Sequence, residues 1–542
     1  MAVQTPAELA AAPGRRPTNR SRLLAALSGL SRHPWLITAM LCAVLLALPP
    51  TGGDLAAQEF HTWVFKAHDA VLWNNFWYGG HLLGGYSLLF PPLAAVTGTR
   101  LLGALACVGA AAAAGALFGA PRGGGAARLA SVWFAVGCLG PFLVGQVPFS
   151  VGVALGLAAL LAAARQHPWL AGVAALAASL TSPLAGAFLL LVALAWCTEA
   201  GWRRTAPLAT AALGVAAASV LGGGGFFPFP PRALLILLLF ALGGVVLIPS
   251  LSRTMRVGLL LYAASAVAIF AVHNPVGGNM GRIGALVGGP LAAYVLGTRR
   301  RWRSLAVVAI PLLCWQMWPL GTAVTRSFGD PSSRAAYYAE LDDFLRTQDV
   351  AQGRLEIPNL RQHWESYYVP KVFPIARGWE RQIDLRDNEI LYHPDLTAEQ
   401  LHDWVLRSGV GLIALPDAPI DYWSTHEAAL LRAGQPWLRP VWSDAHWQVW
   451  RVTDATGLVT GPARLTELDV DSFQLAVDRA GASVVRVHWS TYWQVTSGSA
   501  CLRPGPDGWV TVEAASPGPV SVTARWSLSA ASQRGSADGR CH

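Results

Sequence analysis

Residues 97–118 read TGTRLLGALACVGAAAAAGALF, and after Arg100 no charged side chain interrupts them. A helix needs about 20 predominantly apolar residues to cross the hydrocarbon core of a bilayer. Working outward from this run, ten more of the same kind lie near 34–50, 129–146, 149–164, 168–183, 184–198, 205–222, 233–250, 257–272, 284–298 and 304–320. Only Ser182-Pro183 separates the runs at 168–183 and 184–198, so this pair could also be one re-entrant hairpin. The 542-residue chain is 53% apolar and 13% charged, against about 25% charged in soluble domains. That composition excludes a disordered chain, a fibre and an ordinary soluble enzyme, and it predicts a polytopic α-helical membrane protein.

Charge divides the chain in two. Residues 1–320 carry 20 Lys+Arg and 5 Asp+Glu, whereas residues 321–542 carry 20 and 26. The excess base lies in short segments between apolar runs, which is not a nucleic-acid footprint. Arg15, Arg16, Arg20, Arg22 and Arg32 precede the first run. Every second loop thereafter is basic: Arg122 and Arg128; Arg165; Arg203 and Arg204; Arg253 and Arg256; Arg299 to Arg301 with Arg303. Basic loops face the cytoplasm. The expectation is therefore a multi-pass cell-membrane protein with a cytoplasmic tail (1–33), a transmembrane domain (34–320) with a first outer loop at 51–96, and an extracytoplasmic C-terminus. The long basic N-terminal region, with no small-x-small site after the first run, is not read as a cleavable signal.

Beyond the membrane part, residues 321–460 mix two periodicities, predicting an α/β domain. Helices are expected over 332–347, 397–407 (opened by Thr397 with Gln400 as a capping box) and 425–433. Strands are expected at 355–357, 365–369, 411–415 and 447–452. Residues 461–542 carry short strands about ten residues apart, the spacing of a small β-sandwich, ending in a loose tail SAASQRGSADGR. Five cysteines fall within apolar runs. Cys501 and Cys541 lie outside them and are expected to form a disulfide in an oxidising compartment, the alternative being two unpaired thiols.

The acids of the membrane half are unevenly placed. Of the five, Asp54, Glu59 and Asp69 all lie in the first outer loop, with Lys66, His61, His68, His81 and a dense set of aromatics. A carboxylate at a low-dielectric boundary holds its proton more tightly, which suits a general base. On a helix, Asp54 and Glu59 stand about 140° apart and do not share a face. Trp73 and Trp77 could stack on sugar rings or anchor at the interface. No HxxxH or HExxH spacing, nucleotide loop or nucleophile elbow is present.

Gly52-Gly53-Asp54 after the first run, WNNFWYGG at 73–80, HNPVGGNMGRIG at 273–284 and ARGWERQ at 376–382 carry a likeness. With many spans and a C-terminal outer domain, the chain resembles the GT-C class of integral membrane glycosyltransferases, and more closely actinobacterial GT-C-like membrane proteins. The resemblance implies sugar transfer from a polyprenyl-phosphate donor to a cell-envelope glycan or lipid acceptor at the outer face. It also implies Asp54 as general base, with Glu59 as alternate. The family often shows adjacent acids in this loop; Asp54 has no acidic neighbour, so a divalent cation is implied only as a possible cofactor.

A phosphate-bearing donor needs cations, and Arg282, Arg232 and Lys66 are the candidates on the outer side, Arg282 following a glycine-rich GGNMG. Arg232 could equally anchor at lipid head groups. Acceptor contacts are expected from Trp73, Trp77 and His81 of the loop and from Trp364 and Arg377. The last two belong to a polar, aromatic cluster with His363, Glu365, Trp379, Glu380 and Arg381, which could instead be a solvated, ion-paired loop. A transporter or flippase of envelope lipids or glycans, and a non-catalytic envelope-assembly scaffold, are the alternative functions. The former lacks the internal repeat and intramembrane charge that transporters show.

Overall fold

A computed structural model describes residues 29–222, 224–248, 251–327, 329–527 and 541. Most of the basic tail read over 1–33, and the loose tail read at 529–540, lie outside the described residues.

Each of the eleven apolar runs contains a helix. Among the described residues, eight helices are long and apolar enough to cross a membrane: Thr99–Phe118, Gly125–Val144, Val147–Ala164, Pro183–Ala200, Trp202–Leu221, Arg253–Ala271, Gly277–Thr298 and Trp302–Ser327. Trp35–Ala47, Pro168–Thr181 and Pro231–Leu247 are apolar but shorter. Proline sets several of the starts. Pro148, Pro168, Pro183 and Pro231 all sit in a first helical turn, where the missing N–H has no intrahelical partner to lose. At the junction of the 168–198 pair, Ser182 leaves the helical conformation and its side chain accepts the Ala185 N–H. The pair forms two separate helices.

Small residues let these helices approach closely, as membrane helices do. Ala111 is fully buried. A Cβ on Gly289 would lie 2.3 Å from the Trp133 ring, and one on Gly214 would meet Ser179 Oγ at 2.2 Å. The outward faces keep large apolar side chains exposed, including Leu239, Val246, Val307 and Ile310. An apolar surface of that extent fits lipid contact.

The loop read over 51–96 contains a helix, Leu55–His68, and a short hairpin of β1 (Trp73–Asn74) and β2 (His81–Leu82). The C-terminal region is β-rich. Its first part is a four-stranded sheet of β3 (Arg354–Glu356), β4 (Val410–Pro416), β5 (Leu438–Ser443) and β6 (Trp447–Val452) in the order β3-β4-β6-β5. β3 and β4 are parallel and the other neighbours antiparallel. β4 is buried along its whole length.

Two further antiparallel sheets use β7 (Val459–Thr460), β8 (Ala463–Leu468), β9 (Ser472–Val477), β10 (Gly481–His488), β11 (Trp493–Ser497), β12 (Ala500–Pro504), β13 (Trp509–Ala514) and β14 (Gly518–Ala524). Their orders are β12-β13-β10-β7 and β11-β14-β9-β8. Phe473, Leu475, Val485, Val510 and Val522 from both sheets share one core, making a sandwich. Cys501 and Cys541 are disulfide-bonded.

Two local expectations are corrected. Residues 365–369, expected as a strand, form the helical turn Glu365–Tyr368 followed by the 3-10 turn Val369–Lys371. The helical spacing puts Trp364, Tyr367 and Tyr368 in mutual ring contact, which outweighs the strand preference of Tyr and Val. The helix expected over 332–347 is α-helical only at Ala339–Leu345. Arg334 is extended between two 3-10 turns and breaks it.

Candidate functional site

Gly52 lets the chain after the first apolar helix lie directly against the segment at 143–145. A Cβ on Gly52 would lie 2.3 Å from the Leu143 carbonyl oxygen, and one on Gly145 the same distance from the Leu55 nitrogen. With both side chains absent the two segments touch, and the Asp54 N–H donates to the Val144 carbonyl at 3.1 Å. Asp54 is thereby fixed at the start of the helix Leu55–His68, half-buried.

Asp54 Oδ2 accepts from Gln146 Nε2 at 3.0 Å, and Oδ1 accepts from Trp379 Nε1 at 3.3 Å. One donor comes from the end of a membrane-length helix, the other from the C-terminal region. Trp379 is held between the His363 ring, stacked at 3.2 Å, and the Arg381 guanidinium at 4.9 Å. Arg282 and Tyr86 lie within electrostatic reach of Asp54, and the Tyr86 hydroxyl accepts from Gln58 Nε2 at 2.9 Å. The Arg282 guanidinium has the Phe149 ring 5.5 Å away. Among the described residues it makes no hydrogen bond and no ion pair within 4.0 Å. Arg282 and Gln146 line a cavity of about 260 Å³ whose other walls include Phe229, Ile236, Trp315 and Leu320. A cation and two amides, Gln146 and Gln316, therefore face a largely apolar hollow, with the Asp54 carboxylate hydrogen-bonded to Gln146.

Beside this group, His61 Nε2 lies 3.0 Å from Glu380 Oε1, with His61 buried and the Glu380 side chain 10% exposed. Burial alone would raise the Glu380 carboxyl. The contact with His61, with His81 and Arg386 nearby, outweighs it and holds the pKa below the usual range. Glu380 thus remains a carboxylate inside the protein.

Glu59 has a different set of neighbours, as its angular separation from Asp54 requires. Burial raises its carboxyl above the usual range, against the pull of Arg100, Thr99, Lys371 and Lys66. Lys371 sits over the Tyr367 ring at 3.2 Å, and burial lowers its ammonium to about 8. Lys66 and Arg232 are exposed, and neither lines the cavity that holds Arg282. Of the three donor-phosphate candidates, Arg282 lines the cavity and lies within electrostatic reach of Asp54.

The five residues expected to contact an acceptor are all buried. Trp73 donates to Asn75 Oδ1 and meets the Trp493 ring edge-on. Trp77, with 0% exposure, stacks on Phe60 at 4.0 Å and donates to the Ser366 carbonyl at 3.0 Å. His81 is bonded to Asn74, and burial lowers its ring to about 4. Trp364 packs against Tyr367 and Tyr368. Arg377 is bonded to Asp384 at 2.7 and 3.1 Å and to Glu427 at 3.0 Å, with Glu356 3.8 Å away. In this arrangement Trp73 and Trp77 join the loop over 51–96 to the C-terminal region, His81 is held within that loop, and Trp364 and Arg377 are buried in the C-terminal region.

Gln146 and Tyr86 were not marked by the sequence, and nothing in it paired His61 with Glu380. Gln146 stands 92 residues from Asp54, and Trp379 stands 325 away. Only the fold brings them together. No group of three metal-ligating side chains surrounds Asp54 among the described residues. The group that clusters so is Cys501, Glu513 and Cys541, whose two sulfurs are already joined. The donor set at Asp54 does not fit a bound divalent cation.

The chain matches no protein-family model and no curated protein at a significant level.

Proposed function

We propose that the chain is a polytopic glycosyltransferase of the GT-C kind, working at the outer face of the cell membrane. The observation that carries this reading is Asp54 itself. It is a carboxylate held at the end of a membrane-length helix, within reach of an unpaired guanidinium that lines a largely apolar cavity. A polyprenyl-phosphate sugar has the matching chemistry, an apolar tail beneath an anionic head.

In the proposed reaction the apolar walls receive the lipid next to its phosphate. Arg282 pairs with that phosphate, as guanidinium groups do well. Asp54 accepts the proton of an acceptor hydroxyl as its oxygen attacks the anomeric carbon. The bond from that carbon to the phosphate oxygen breaks, and the polyprenyl phosphate leaves with the electron pair. Direct displacement inverts the anomeric centre. The hydrogen bonds from Gln146 and Trp379 aim the carboxylate, and Arg282 balances charge on the leaving group. No metal step is included, because the residues around Asp54 do not form a cation site.

In the same reading the apolar helices number eleven spans. The basic loops face inward, and the first outer loop and C-terminal region lie outside, meeting a cell-envelope glycan or lipid acceptor. The test is a panel of radiolabelled polyprenyl-phosphate sugars given to the purified chain with envelope extract. Label should pass from at least one donor to the acceptor fraction. No transfer from any donor would count against the proposal.

A further inference from the structure

Arg354 in β3 is 1% exposed. Its Nη1 donates to the Ser408 carbonyl at 3.1 Å and its Nη2 to the Arg486 carbonyl. Its Nε–H has no acceptor. Among the described residues no carboxylate lies within 4.0 Å of it, and the charged group acting on it is a second cation, Arg486. A buried charge without a counter-charge is expensive. Trp509, 7% exposed, repeats the pattern, since its Nε1–H is also buried without an acceptor.

Both residues line one cavity of about 250 Å³, together with Arg386 and Arg407, with the two unpartnered N–H groups buried behind its wall. The carboxylates in its wall do not serve as counter-ions to Arg354. Asp387 is bonded to Arg386 at 2.6 and 2.7 Å, and Glu389 and Asp507 are exposed. His488 stacks on Trp509 at 4.3 Å, and burial lowers its ring to about 4, so it adds no charge at neutral pH. The cavity is built by three parts of the chain. The first outer loop contributes Tyr78 and Gly79, and the Gly79 carbonyl accepts the His488 N–H at 2.8 Å. A Cβ on Gly79 would lie 2.9 Å from the Trp509 ring, so only glycine lets the loop form this wall.

We propose that this cavity binds an oxyanion, the carboxylate or phosphate of a small polar ligand, with Arg354 and Trp509 as its buried donors and Arg407 as an exposed one. A guanidinium presents its N–H groups in a fixed fork that matches such an anion. The site is independent of sugar transfer at Asp54, and either can fail without the other.

Isothermal titration of the full chain in neutral detergent tests it with inorganic phosphate, glucuronate and glucose. At least one anion should bind and glucose should not. Trp509→Phe keeps the ring and removes the N–H, and Arg407→Ala changes an exposed side chain. Each should weaken anion binding about tenfold, the scale of one charge-assisted hydrogen bond. A preference for phosphate assigns a phosphoryl group, and one for glucuronate an acidic sugar; both support the site. Binding of neither anion, equal binding of glucose, or unchanged affinity in Arg407→Ala would overturn it. That last variant keeps the test decisive if Trp509→Phe does not fold.

Discussion

Two carboxylates show how much of a residue's chemistry lies in its surroundings. Asp54 accepts from Gln146 and Trp379 and remains half-buried. Glu365 is buried with the Leu360 N–H as its hydrogen-bond donor, and burial pushes its pKa up to about 8. The consequence for stability has a definite sign. In the unfolded chain Glu365 ionises near 4.5, so between that pH and about 8 the folded protein holds a proton that the unfolded one releases. This residue's contribution therefore falls as pH rises through that window and is full below it. Glu365→Gln keeps the shape and removes the titration. Thermal unfolding at pH 5 and pH 8 should show the variant gaining on the wild type at the higher pH; a constant gap would contradict the assignment. Of the candidate site, the sequence made Asp54 and Arg282 legible, because an acid or a base between apolar runs stands out. It did not show that Trp77 and His81 are enclosed, because an aromatic ring reads alike whether it faces ligand or core.

At the scale of elements, periodicity and punctuation were readable. The apolar runs became helices, several opening on their prolines. At Thr397 the capping box closes as its S/T-x-x-Q spacing requires: the Gln400 N–H donates to Thr397 Oγ1 at 3.2 Å, and Gln400 Oε1 accepts the Thr397 N–H at 2.9 Å. Thr397→Ala should lower stability by about 1 kcal/mol, measurable by denaturant unfolding of the C-terminal region; no change would mean the cap is redundant. Residues 365–369 were misread for a physical reason. Tyr-Tyr-Val favours strands only where a pleated neighbour is available. Here Tyr368 stacks on Tyr338 at 4.9 Å, a partner 30 positions earlier in the sequence that local pattern cannot reveal.

Across the whole molecule, the loop over 51–96 joins the apolar helices to the β-rich region. Its tip is held from both sides. Asn75 Nδ2 donates to the Asp469 carbonyl at 2.8 Å, and the Phe76 carbonyl accepts the Ile375 N–H at 3.0 Å. Trp77 fills the space between, where Gly378 has no room for a Cβ. Trp77→Ala should therefore cost roughly 3–5 kcal/mol and expose the loop to limited proteolysis; an unchanged digestion pattern would show that the indole is not the joint. Packing of this kind holds Trp379 against Asp54, so the C-terminal region takes part in positioning the carboxylate. The most direct test of that carboxylate's proposed role is the initial rate of sugar transfer from a polyprenyl-phosphate donor by wild type and by Asp54→Asn, which keeps the side chain's size and can still accept a hydrogen bond. Loss of the base should reduce the rate roughly 10²- to 10⁴-fold with membrane insertion and unfolding temperature unchanged. Transfer by Asp54→Asn at the wild-type rate would contradict the account.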